Sequence, residues 1–542
     1  MGSSSERESL NEDVYLCEGL LKTRYNKEGL KHRVDQVASL LDRDRGYPSL
    51  DILSPFDGAL FPRDMASPVF SWENRPSGVE TWVILIRFEK TGHALYVLTD
   101  KPSWTPDKKA WGFIKKLSLE RKASITVAAV SGNEHPGILA AGHITISTSK
   151  DEVASQILYQ HMPLPFAAAK KNPNLSVWRL GSVSSYEEPP VVMKNLPVCA
   201  NCHCVSKDGT LFGMDMDINN DKGAYVVKKI EENMGLNRDD FITWNDFQRS
   251  EGAQSMGLFS RISPDNKFIL STVKETSFFS MIPDINFSQF FFPIRGLIGC
   301  YSVEEDRVFS LPGADDPEYV QTCAEWSPDG KYVVFARAKT DQRLEAIIGD
   351  KGYFDPEPDE RIMDLNKKYQ IHFDLYRVAF RGGAGGTPEP LAGASNNGMS
   401  NYFPRYSPDG KWIVFTQSPT GLAIQPHSKL VIIPAKGGSA RVMKCNMDIM
   451  NSWHSWSANS RWLVFSSKAN TPFTELFLTH IDEHGYASPP VVLFRFSSPS
   501  RACLAPELVN LREESIKSID LAGETTSWTN LGGPSNLDKR AR

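Results

Sequence analysis

The sequence predicts an all-β protein, a small N-terminal β-sandwich followed by a six-bladed β-propeller. Three observations carry this. From Pro48 onward the apolar residues recur mostly with period two, the period of a strand with one buried face. A strand–turn–strand unit built around Ser-Pro-Asp-Gly returns four times, at 259–273, 324–338, 404–417 and 454–467. The chain has 542 residues, too many for one ordinary core, so two or three domains are expected.

Residues 1–47 read as a polar, helical leader. Val14, Leu16, Leu20 and Leu21, then Val34, Val37, Leu40 and Leu41, fall on helical faces, with Asn11 as an N-cap. The next unit, 48–150, reads as a sandwich of immunoglobulin or fibronectin type III shape, with strands at 81–88, 93–98, 124–130 and 143–147 and a helical insertion at 103–123.

The propeller is assigned to 151–522 and a flexible tail to 523–542. Each unit turns at an Asp or Asn; where Ser-Pro-Asp-Gly is kept, Pro fixes φ and Asp-Gly supplies the backbone conformations of a tight hairpin. Outer strands follow at 373–378 and 429–434, and a fifth copy of the frame is VSKDGTLFGMDMD at 205–217. The sixth blade is expected to be composite, 175–180 pairing with 505–511 and 515–521 from the far end, which closes the ring and removes exposed sheet edges.

The fifth copy is preceded by CANCH, Cys199 to His203. This fits C-x-x-C-H, in which two thiols three positions apart add to the vinyl groups of one porphyrin and the adjacent His reaches its iron. With eight Cys and eleven His in the chain, chance gives about 0.002 such motifs. Two other readings stay open: zinc held by Cys199, Cys202, His203 and Cys204, and a redox Cys199–Cys202 dithiol. Met214, in GMDMD, is the candidate distal haem ligand, with His161 and His454 as further candidates. Each has a plainer role as packing or as a satisfied structural histidine. The acidic run 215–221 is a candidate Ca²⁺ site but lacks the Gly-punctuated loop and final Glu of an EF-hand, so a solvated blade loop is the simpler expectation.

Taken together, CANCHCVSKDGTLFGMDMDINNDKGAY, YVQTCAEWSPDGKYVVFARA, SNNGMSNYFPRYSPDGKWIVFTQ and MNSWHSWSANSRWLVFSSK resemble a bacterial family of TolB-like, cytochrome-c-like propeller proteins with WD-type repeats. The resemblance runs from about 48 to 510. It implies a sandwich before a six-bladed TolB-like propeller, covalent haem c on Cys199 and Cys202 at the first blade, and His203 as proximal iron ligand. It leaves the reaction undefined.

Composition narrows the function further. A net charge of −5 and no dense basic stripe argue against a nucleic-acid partner, and no apolar run is long enough for a transmembrane helix. The opening MGSSSERESLNED lacks the basic and apolar regions of a secretory signal, leaving a cytosolic chain or one whose export signal is not part of it. Haem c is matured outside the bacterial cytoplasm, so the haem reading places the protein in the periplasm or at the cell surface, serving electron transfer with a redox partner or haem-ligand chemistry. The alternative is a scaffold whose propeller face binds a protein, peptide or glycan, with CANCHC structural. No nucleophile elbow, zincin helix or phosphate loop is present to specify an enzyme.

Overall fold

The computed structural model describes residues 14–522, apart from 20–21, 23–25, 44–45, 74–75, 133–135, 197–199, 219–220, 249–251, 253, 282–288, 349–352, 355–368, 370 and 422–425. Asn11, Leu20, Leu21, Cys199, the tail and part of the acidic run therefore lie outside the described residues.

The sandwich pairs a six-stranded sheet with a three-stranded one. The large sheet runs Val14–Cys17, Ala94–Thr99, Thr81–Phe88, Ala123–Ser131, Gly137–Thr148, Ala59–Phe61; the small one runs Ile52–Ser54, Phe70–Trp72, Ser103–Trp104. Val14–Cys17 corrects the helical leader: these residues form an edge strand parallel to Ala94–Thr99. The helix starts later, at Lys27–Leu41, capped by Asn26, whose side chain accepts from the Gly29 N–H at 2.8 Å. It lays Leu30, Val34 and Val37 on Val83, Leu98, Ala128 and Val130, covering the outer face of the large sheet. The insertion is shorter than expected, a helix at Lys108–Leu117 that buries Trp111, whose indole donates to the Met65 carbonyl.

Six sheets follow, five of four strands and one, blade 2, widened to five by Tyr353–Phe354; each contacts the next through its innermost strand, and the sixth contacts the first. The innermost strands are Ala200–Val205, Leu258–Ile262, Tyr319–Trp326, Ser400–Tyr406, Ser452–Trp456 and Arg501–Val509, of blades 1 to 6. The repeat is the turn that leaves them. In blades 1 to 5 the hydroxyl of Ser206, Ser263, Ser327, Ser407 or Ser457 donates to the Asp or Asn two positions on, at 2.6–2.7 Å. The same oxygen accepts the N–H five positions on. The hairpin thus closes through one side chain, and SKDG is a diverged SPDG in structure as well as in sequence.

Blade 6 is composite, as expected, but its pairing differs. Arg501–Val509 pairs with Gln156–Pro163, and Val177–Ser182 pairs with that strand rather than with the C-terminal one. Ser518–Leu521 instead runs parallel to Asn233–Leu236 beside blade 1. The strand at 156–163, with no turn signature of its own, is the missing element. Sandwich and propeller share one core: Trp82, Ile84 and Trp111 belong to the same cluster as Trp462, Val464, Leu476 and Phe496.

Candidate functional site

Every inner strand slips register at one place, between Ala200 and His203, Leu258 and Arg261, Thr322 and Glu325, Tyr402 and Arg405, Ser452 and Ser455 and, in blade 6, opposite Leu158 and Gln160. An extra residue inserted there leaves the ladder and bends the strand. In blades 2 to 6 that residue has positive φ: Phe259 59°, Cys323 55°, Phe403 53°, Trp453 50°, Ala505 47°. Four positions before the turn serine, this column (with Cys202 in blade 1) lines the propeller axis.

These residues form the floor of a central cavity of about 450 Å³. Phe259 and Phe403 meet edge to face at 5.3 Å between ring centroids, and Phe403 and Trp453 lie 4.8 Å apart. Phe291, from the long hairpin of blade 2, meets Phe259 at 6.0 Å. Trp453 has its indole N–H buried without an acceptor.

Two positions nearer the turn lies the wall: Cys204, Arg261, Glu325, Arg405, Ser455 and Glu507 in ring order. Four of the six are charged. Arg261 Nε is 3.5 Å from Glu325 Oε2 and its Nη1 is 3.8 Å from Glu507 Oε2. Arg405 Nη1 also donates to Glu325 Oε2. These side chains are only 11–26% exposed. Burial pushes the Glu325 carboxyl up to about 7 against the pull of Arg261, and Glu507 is raised for the same reason. The mouth is lined by the turn residues Lys207, Pro264, Pro328, Pro408 and Ala458. The result is a funnel with an aromatic floor and a charged belt.

CANCH meets this site from one side only. Cys202 lines the cavity with its thiol against the Phe259 backbone, and Cys204 packs toward blade 2 with Tyr225, Trp244 and Ile262. His203, between them, leaves the opposite face of the strand toward blade 6. Its ring is buried, Nε2 donates to the Leu158 carbonyl at 3.3 Å, and Nδ1 has no partner. Burial brings its pKa down to about 3, so the ring is neutral.

A porphyrin bonded to Cys202 and ligated by His203 would have to reach two places at once, because the Cys202 thiol lies against the Phe259 backbone of blade 2 while the His203 ring is buried on the Leu158 carbonyl of blade 6. Met214 is the direct cross-strand partner of His203 and is fully buried in the blade 6–blade 1 core with Leu158 and Trp178. Two such neighbours share one face and cannot flank a porphyrin. As folded, Cys202, His203 and Met214 do not fit haem c. Among the described residues no group of three or more His, Cys, Asp or Glu side chains could hold a metal ion. Burial also pushes Cys202 and Cys204 up to about 12, away from reactive thiolates.

The remaining candidates are structural. His454 repeats His203: buried, with Nε2 donating to the Val414 carbonyl at 3.0 Å. His161 is buried beside Tyr159 in blade 6. Asp215, far from a solvated loop, is a buried strand residue that accepts from the Ser260 hydroxyl at 2.5 Å. Asp221 accepts from the Gly223 N–H and the Asn245 amide. What the sequence reading missed is the belt and the floor. Both were visible as columns of the repeat alignment, two and four positions before the turn serine.

No family model matches the chain, and no curated protein does. Among solved structures, TolB from Acinetobacter baumannii is similar at 12% identity, covering 85% of this chain and 98% of that one, with a TM-score of 0.41. An oligogalacturonate lyase from Vibrio parahaemolyticus is similar at 12% identity over 57% of this chain and 70% of that one, TM-score 0.33. Prolyl oligopeptidase B from Galerina marginata is similar at 12% over 58% of this chain and 40% of that one, TM-score 0.30. The six-bladed propeller is read from the six sheets themselves. No described helix is long and apolar enough to cross a membrane.

Proposed function

We propose that this protein is a binding scaffold whose central funnel receives a peptide, with CANCHC as part of the frame. The observation that carries the reading is the funnel: about 450 Å³, with aromatic rings at the floor and both signs of charge on the wall. Concave sites of this size, largely apolar with a few polar groups placed to orient a ligand, are where small ligands and chain segments bind. Backbone amides and mixed side chains suit a wall that carries donors and acceptors together. A nucleic acid, with one sign of charge, does not.

The funnel can be filled without disturbing its frame. Ala505 shares the positive φ of Phe259, Phe403 and Trp453, so an aromatic side chain is already tolerated at that place in three other blades. Ala505→Phe should keep the circular dichroism and melting temperature of the parent. A peptide library titrated against the full chain, read by tryptophan fluorescence, should show binders that this variant loses. If oligosaccharides bind and peptides do not, the glycan scaffold replaces this reading.

The CxxCH motif, rare by chance, supports a second reading, an extracytoplasmic haem c protein. It requires 199–203 to leave the strand that 200–205 forms. Protein exported with cytochrome c maturation machinery would then carry a Soret band that survives acid–acetone extraction. Export without such a band removes it.

A further inference from the structure

We infer that the funnel takes a small zwitterion, a free amino acid or dipeptide, bound across Ser455 with its carboxylate at Arg405 and its ammonium at Glu507. The inference rests on the funnel being a binding site and says what it recognises.

The belt carries it. In ring order the wall reads Cys204, Arg261, Glu325, Arg405, Ser455, Glu507. Charges alternate through blades 2, 3 and 4, where each touches its neighbour. The alternation then breaks at blade 5, where a cation and an anion stand on either side of a serine. Among the described residues Arg405 engages Glu325 through Nη1 alone, and no hydrogen bond to them holds its other guanidinium nitrogens. Glu507 is held loosely, Oε2 3.8 Å from Arg261 and Oε1 3.4 Å from the Val205 N–H. Ser455 is too short to reach either charge as an ion, and its oxygen already accepts the Leu508 N–H at 3.0 Å.

A ligand that completes the belt brings a carboxylate for the planar fork of Arg405 and an ammonium for Glu507. Two positions before Ser455 on the same strand, the Trp453 ring lines the floor beneath this gap, 4.8 Å from Phe403. The aromatic floor receives the ligand's side chain. A ligand with one charge leaves one side of the gap unmatched, and burying that unpaired charge costs affinity.

The test is calorimetric titration of the full chain with free dipeptides (Gly-Phe and Ala-Leu) beside their N-acetylated and C-amidated forms. The free dipeptides should bind, and each cap should weaken binding at least tenfold. Ser455→Arg, which fills the gap and supplies Glu507 with a partner, should abolish binding. Glu507→Gln, nearly the same shape, guards against a folding failure in that variant. It should weaken the free dipeptide about tenfold and leave the N-acetyl form unchanged. If capped forms bind as well as free ones and Ala505→Phe blocks both, the funnel is a peptide site but this inference falls. If no peptide binds in any form, the inference and the funnel reading fall together.

Discussion

His203 and His454, in blades 1 and 5, make the same bond. Each ring donates from Nε2 to a carbonyl on the second strand of the preceding blade, Leu158 at 3.3 Å and Val414 at 3.0 Å. Both stand three positions before the turn serine, where Ser260 of blade 2 likewise reaches back to Asp215. The residue that a haem motif marks as an iron ligand is, in this fold, one of a set of staples between blades.

His203→Ala and His454→Ala should therefore destabilise alike. Each leaves a buried carbonyl without its donor and opens a hole, together worth roughly 2–4 kcal/mol. Urea denaturation of the two variants measures it. A much larger loss in His203→Ala, with a loss of visible absorbance, would contradict the staple.

The same histidines set a pH dependence. Burial brings His454 down to about 4 and His203 to about 3, against about 6.5 in the unfolded chain. The unfolded state therefore takes up these protons first, and their contribution to stability falls as pH drops from about 6.5 to 4, and to 3 for His203. Asp215 and Glu325, raised to about 7 by burial, act oppositely, since the folded state binds their protons first as pH falls below 7. The difference between parent and His454→Gln isolates one term. The stability gap between them should narrow from pH 7 to pH 4, and a gap that stays constant would show that His454 is not buried neutral.

Removing Arg261 should be costly. Among the described residues it is the one cation that faces both Glu325 and Glu507, and it also donates to the His203 carbonyl at 3.2 Å. Arg261→Met leaves two buried carboxylates without it, an effect of about 3–5 kcal/mol. Adding Glu507→Gln should recover part of the loss, a non-additivity that a double-mutant cycle in guanidinium chloride will read.

Sandwich and propeller should unfold as one. Trp462 of blade 5 is fully buried in the core shared with Trp82 and Trp111, and the His480 ring lies 2.8 Å from Asp151 at the same junction. Trp462→Ala should cost about 3–5 kcal/mol and keep a single calorimetric transition. Two separated transitions in the parent would mean that the shared core does not couple the units.

Much of the fold was legible because its signals are local. Short runs of β-branched and aromatic residues, buried on both faces, mark the strands of Thr81–Phe88 and Trp412–Ser418, and a serine that closes its own hairpin marks five blades, since each is completed within about six residues. Val14–Cys17 was misread because four residues of period-two pattern are outweighed by the helix beside them, and what makes them a strand is the edge of Ala94–Thr99, far along the chain. Gln156–Pro163 was missed for the same reason: its partners are Val177–Ser182 and Arg501–Val509, the latter more than three hundred residues away.

The sequence by itself determined most of the strands, the serine-closed turns of five blades and the presence of CANCH. Only the tertiary structure decided what those letters do. Packing between blades parts Cys202 and His203, adjacent in the chain: the one lies at the channel against Phe259, the other bonds the Leu158 carbonyl of blade 6. A ring does the converse: Arg261, Glu325 and Arg405, each at the same step of its own repeat, meet on one axis. Adjacency along the chain suggested a site at residues 199–203, and closure of the ring placed the funnel among residues that no local motif connects.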